Sequence, residues 1–196
     1  MRRIALAALL LVALVGACSR HEVAMSYNSA AVAAKPAMAS PSVETVTVTD
    51  LRGTPANRLG AIRGGYGNPL KTLETAQPVK DVLHQAFADG LSARGMLAPN
   101  GNGRYGLEIT IEKLDCSQYV RREAHTKLQV ALLEKGTGRQ VYTKRVEDNR
   151  TDSGSLVATG IFGSVDGLRK IANDSMQAAV DQALDNPAFL AVIGAR

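Results

Sequence analysis

Nucleophiles, bases and metal ligands form no convincing catalytic constellation in this sequence. Histidine occurs at His21, His84 and His125 only. None of the three stands in a spacing such as H-E-x-x-H, which sets two imidazoles on one helical face. His84 falls on the polar face of a helical pattern and His125 on the polar phase of a strand pattern. No serine is framed as G-x-S-x-G, the tight turn that exposes a nucleophile. Asp148 and Asp152 are close in sequence, but the polar stretch that carries them sets up no opposed acid and base. Gly101-Asn102-Gly103-Arg104-Tyr105-Gly106 matches G-x-G-x-x-G as text. A dinucleotide site needs those glycines after a strand and at a helix N-terminus, where amides face the pyrophosphate. Here they follow a helical pattern and precede a strand, so turn chemistry is the better account. The sequence therefore predicts no enzyme, no metal and no cofactor.

Three arginines make a candidate binding loop. Residues 51–69 hold Arg52, Arg58 and Arg63 with Tyr66, among five glycines and two prolines. A connection of this length without structure of its own is uncommon unless it is functional. Glycines let backbone approach a ligand, and arginines with an aromatic suit an anionic group or an acidic partner surface. Lipid headgroups, lipopolysaccharide and a protein partner all fit that chemistry. The plainer alternative is that Asp50 accepts hydrogen bonds from loop amides and pairs with Arg52. A second connection, 147–163, carries Ile161 and Phe162. These either complete the core under the following helix or form an exposed patch, and the first loop is the stronger candidate.

Cys18 is the one residue whose context specifies a reaction. Arg2 and Arg3 precede an uncharged, mostly Ala/Leu/Val run from Ile4 to Ala17. That run has the length of a signal-peptide core and is too short to span a membrane as a helix. Val15-Gly16-Ala17-Cys18 resembles the lipobox of bacterial lipoproteins. The resemblance implies a diacylglyceryl thioether on Cys18, cleavage before it and acylation of the new amine. Two or more acyl chains hold a protein stably on a bilayer where one does not. Ser19, rather than Asp, at the next position is similar to lipoproteins sorted to the outer membrane. With Cys18 acylated, Cys116 is left unpaired, as a buried small hydrophobe, an intermolecular disulfide or a reactive thiol.

Composition narrows the partners. The formal charge of +5 falls to +3 once Arg2 and Arg3 leave with residues 1–17. No block of Lys and Arg tracks a phosphate backbone, Trp is absent and aromatics are few. Nucleic acid is therefore excluded as a partner.

The elements that must position these residues follow from periodicity. Residues 18–42, rich in Ala and Ser with Pro36 and Pro41, read as a lipidated cysteine and flexible tether with a reach of about 25–30 Å. The globular domain then occupies 43–196. Val46 and Val48 alternate with threonines in a strand over 43–50. Lys71 to Glu74 permits a short strand. Val79, Val82, Leu83, Ala86, Phe87, Gly90 and Leu91 make one apolar stripe of a helix. Leu107, Ile109 and Ile111 alternate in the next strand, with a shift of phase near Lys113. Residues 124–146 form a hairpin about Gly136-Thr137-Gly138. Ser164 caps a second helix, and Asn186-Pro187 opens a short third one. These segments predict an α+β two-layer sandwich: a mostly antiparallel or mixed sheet of about four to five strands, with two amphipathic helices on one face.

In this order the pieces resemble the YajG-like family of bacterial lipoproteins, whose molecular function is not established. The resemblance rests on the lipobox ending at Cys18, the strand over 43–50 and the helix ending Ser92-Ala93-Arg94-Gly95. It continues through Pro99-Asn100-Gly101, the strand over 107–114, the hairpin and the Asn186-Pro187-Ala188-Phe189-Leu190 tail. It implies a small envelope domain and assigns no site residues. Three functions remain open. One is a non-enzymatic accessory lipoprotein of the cell envelope, anchored to the outer membrane through Cys18 and facing the periplasm, that binds an envelope protein or lipid. The second is a small-ligand or lipid-binding module, and the third an enzyme of unrecognised type. The first is the expectation carried forward.

Overall fold

The computed structural model describes residues 19–32, 42–98, 102–152 and 164–194. Cys18, Pro99 to Gly101, and Ile161 with Phe162 lie outside the described residues. Among the described residues, seven strands form one mixed sheet, accompanied by three α-helices and a 3-10 turn at Ser29–Ala31. The strands are β1 (Ser19–Glu22), β2 (Val43–Asp50), β3 (Arg58–Arg63), β4 (Pro69–Glu74), β5 (Tyr105–Gln118), β6 (Arg122–Glu134) and β7 (Gln140–Asp152). The helices are α1 (Val79–Ala93), α2 (Val165–Leu184) and α3 (Pro187–Gly194). The α+β class and mixed sheet agree with expectation, whereas the count of four to five strands is corrected to seven and that of two helices to three.

The sheet runs β1-β4-β3-β5-β6-β7, with β2 also on β5. β5 is long enough to serve two partners on one edge. Its first half pairs in parallel with β2, from Val43↔Tyr105 to Asp50↔Ile111. Its last residues pair in parallel with β3, from Gly60↔Cys116 to Ile62↔Gln118. Its other edge pairs antiparallel with β6, and β6 with β7. Along β5 the buried side chains are Tyr105, Leu107, Ile109 and Ile111, then Leu114, Cys116 and Gln118. The phase slips at the irregularity between Ile111 and Lys113, where the sequence pattern predicted it. Phe87, Leu83, Leu168, Met176, Val180 and Phe189 are sealed against these strands in one core.

Two segments depart from expectation. Within the supposed loop 51–69, residues 58–63 are strand β3. Leu59, Ala61 and Ile62 are buried, and Gly60 reads as a turn residue when it is an interior strand position. A Cβ there would lie 2.0 Å from the Cys116 carbonyl oxygen and 2.6 Å from its Sγ, so close strand approach requires the glycine. The supposed tether 19–42 is also corrected for residues 19–32. β1 pairs in parallel with β4, from Ser19↔Lys71 to Glu22↔Glu74. Val23, Tyr27 and Val32 are buried in the core. Burial of widely spaced single side chains leaves no periodic signal, which is why composition suggested a free chain. Residues 147–152 likewise extend β7 along β6, because a backbone partner is available despite their polarity.

Candidate functional site

Of the four candidate loop residues, Arg52, Arg58 and Arg63 line one groove, and Tyr66 lies apart from it. Arg52 is structural. β2 ends at Asp50 and β3 reaches β5 only at Cys116, so the β5 edge between them lacks a strand partner. The Arg52 guanidinium, 4% exposed, fills that gap. Its Nη1 donates to the carbonyl oxygens of Leu114 (3.1 Å) and Arg58 (2.7 Å). Its Nη2 donates to the Ala56 oxygen and to Asp50 Oδ2, and Nε to Asp50 Oδ1. The hydrogen bond from Arg52 holds the Asp50 carboxyl below the usual aspartate range. The plainer alternative for Asp50 and Arg52 is therefore the correct one.

Arg58 and Arg63 share that groove with Arg52 and with partners that the sequence pattern did not suggest. A groove of about 520 Å³ runs beside β3 and β5. Its polar walls include Arg58, Arg63, Lys113, Asp115, Ser117 and His125. Asp115, Ser117, Glu123 and His125 occupy the phase of β5 and β6 opposite to the core residues, so they point away from α1 and α2. The sequence pattern placed His125 outward, but register was needed to set it opposite Asp115. Burial pushes the Asp115 carboxyl up, while Lys113 and His125 act against that rise. His125 Nδ1 lies 2.7 Å from Asn149 Oδ1, and Nε2 lies 4.0 Å from Glu123. The ring thus lies against an amide oxygen, with a carboxylate farther off. Among the described residues no group of three or more His, Cys, Asp or Glu could hold a metal ion. Cys116 forms no disulfide and is buried in the sheet beside Gly60 of β3. Burial raises its thiol pKa, which disfavours the thiolate.

Tyr66 lies elsewhere, at the fully exposed tip of the β3–β4 hairpin (102%). Arg63 reaches that tip, where its Nη1 donates to the Gly67 oxygen.

A second polar cluster, unforeseen in the sequence, holds the N-terminal segment down. Arg94, at the C-terminal end of α1, is 2% exposed. Its Nε and Nη2 donate to both carboxylate oxygens of Asp185 at 2.9 and 3.0 Å, and Nη2 also to Asp181 at 2.8 Å. Its Nη1 donates to the Tyr27 hydroxyl (2.8 Å) and the Gly90 carbonyl (3.0 Å). The Tyr27 hydroxyl in turn donates to Asp181 (2.5 Å), and burial pushes its pKa up to about 12. Beside it, Gly90 lets α1 meet α2: a Cβ there would lie 2.8 Å from Leu184 Cδ1. The Ser92-Ala93-Arg94-Gly95 end thus supplies a clamp as well as a helix stop.

The fold has solved counterparts. A crystal structure of a protein from Xanthomonas campestris, assigned to the family DUF330, superposes with a TM-score of 0.61 at 15% identity, over 90% of this chain and 96% of that one. A crystal structure of an uncharacterised protein gives 0.53 at 13% identity, over 86% and 97%. A minor lipoprotein from Acinetobacter baumannii gives 0.35 at 15% identity, over 73% and 94%. For the first two, at these identities, the likeness concerns the fold alone. No curated protein matches the chain. A family model described as an uncharacterised lipoprotein matches residues 29–193. That stretch runs from the docked N-terminal segment through α3, and the chain therefore belongs to this family of uncharacterised lipoproteins.

Proposed function

We propose that this lipoprotein is a non-enzymatic binding component of the bacterial envelope. It is anchored through acylated Cys18 to the outer membrane, with its domain in the periplasm. Recognition takes place in the groove between β3 and β5. The observation that carries this reading is the groove itself. It is concave, lies on the sheet face turned away from α1 and α2, and sets Arg58, Arg63 and Lys113 around Asp115 and Ser117. Separated charges of both signs on a rigid sheet select a partner by electrostatic complementarity. The lipobox supports the anchor, and family membership supports the lipoprotein class.

The volume of about 520 Å³ also lies within the range of small-ligand pockets, so an anionic small molecule is the second reading. Incorporating a photo-crosslinking amino acid at Lys113 in intact cells distinguishes them. A discrete protein adduct that disappears on Arg58→Glu supports protein recognition. A ligand adduct of low mass supports the second reading. Absence of any adduct that depends on Arg58 removes the groove as the recognition site.

A further inference from the structure

The docked N-terminal segment fixes how the domain meets its membrane. A peptide bond sets Cys18 Cα only about 3.8 Å from that of Ser19, and Ser19 already belongs to the sheet. Ser19 sits opposite Lys71, and its Oγ donates to the Leu70 carbonyl at 3.5 Å. Lys71 is two residues past Pro69, where the β3–β4 hairpin turns, so Ser19 lies about 7 Å from that turn at roughly 3.3 Å per residue. The same end of the sheet holds the β5–β6 turn, because Ile62 pairs with Gln118 and Gln118 with Arg122. The two turns touch: the Tyr119 hydroxyl donates to the Gly65 carbonyl at 2.7 Å.

Among the described residues the exposed large apolar or aromatic side chains are Leu51, Tyr66, Tyr119 and Val120. Three of the four cluster here, with Tyr66 102%, Val120 55% and Tyr119 45% exposed. Arg63 stands beside them, and Arg121, its side chain 61% exposed, pairs with Glu123. Amphipathic aromatics with flanking cations have the composition that settles at a bilayer interface. The strand order puts β5 three spacings from β1, roughly 14 Å at 4.8 Å each, so all these groups lie within one small patch around the anchor.

We propose that this end of the sheet is a membrane-contacting surface. Tyr66, Tyr119 and Val120 enter the lipid headgroup region next to the acyl chains, and the strands stand steeply on the bilayer. The β6–β7 turn then points outward, about 40 Å away along the thirteen residues of β6. The proposal deepens the envelope-lipoprotein reading and rests on acylation of Cys18.

The chain has no Trp, so single tryptophans report their own surroundings. Tyr66→Trp, Tyr119→Trp and the distal control Thr137→Trp are made in the full chain and purified as mature lipoprotein. Each is reconstituted into vesicles of phosphatidylethanolamine and phosphatidylglycerol containing an acyl-chain-brominated lipid. Mass spectrometry verifies acylation, flotation verifies vesicle binding and circular dichroism verifies the fold. The tryptophans at 66 and 119 are expected to shift their emission to the blue and lose most of it to bromine, and that at 137 to be unchanged. Acylated, vesicle-bound protein whose tryptophans at 66 and 119 behave like that at 137 overturns the proposal alone. An unacylated Cys18 overturns both the proposal and the anchor beneath it.

Discussion

Tyr27→Phe tests whether residues 19–32 are truly part of the domain. The substitution keeps the ring that packs in the core and removes one oxygen. That oxygen accepts from Arg94 Nη1 at 2.8 Å and donates to Asp181 Oδ1 at 2.5 Å. Arg94 keeps its bonds to Gly90, Asp181 and Asp185, so the loss is confined to the hydroxyl. Hydrogen bonds to charged groups contribute about 1.5–3 kcal/mol. If the segment opens as one cooperative unit, its opening constant rises by roughly 10- to 150-fold, at 1.36 kcal/mol per decade. Trypsin reads that constant at Arg20, which is held in β1 until the segment opens. When closing outpaces cleavage, the cut rate follows the open population. Cutting after Arg20 should therefore accelerate by that factor, while the far-ultraviolet circular dichroism stays unchanged. Rapid cutting in the wild type that Tyr27→Phe does not alter would refute the clamp.

Other expectations follow from the same geometry. Arg52→Ser should destabilise the domain by about 3–5 kcal/mol, because Asp50 loses its buried partner, whereas Arg58→Ser with Arg63→Ser should leave the denaturation midpoint near wild type. Gly60→Ala should cost about 3 kcal/mol or more in denaturant unfolding, since its methyl group would overlap the Cys116 carbonyl. The depressed Asp50 carboxyl contributes stability that is fully present above its unfolded value of 3.8 and is lost as pH falls through its folded value. The gap in stability between wild type and Asp50→Asn should therefore close in acid. Asp115 has the opposite sign: its raised carboxyl costs stability once pH exceeds 3.8. Asp115→Asn should match wild type in acid and unfold at higher denaturant at neutral pH.

Much of the fold was legible because its signals are local. The strand over 43–50, the stripe from Val79 to Leu91 and the Ser164 cap match β2, α1 and α2. At the cap, Ser164 Oγ accepts from the Gly167 amide at 3.1 Å. The phase slip near Lys113 and the outward His125 were also visible. What escaped depends on distant partners. Gly60 marks a strand only once Cys116 is known to lie against it. The Asp50–Arg52 pair was legible, but the bonds from Arg52 to the Leu114 and Arg58 carbonyls follow only once the unpaired β5 edge between β2 and β3 is seen. Arg94 looks like a helix end until Asp181, Asp185 and Tyr27 converge on it from segments 67 to 91 residues away. The candidate binding loop consequently keeps its three arginines on one groove, with Arg52 held in the fold at its wall and Tyr66 apart at the hairpin tip.

The central claim is that the chain joins the domain directly after Cys18 rather than through a free tether. Amide hydrogen exchange on the mature wild-type protein measures this at one atom. The Val23 amide donates to the Glu74 carbonyl at 2.8 Å. Protection of Val23 comparable with that of β4 amides is the predicted result, and exchange at the rate of an unstructured peptide would contradict it.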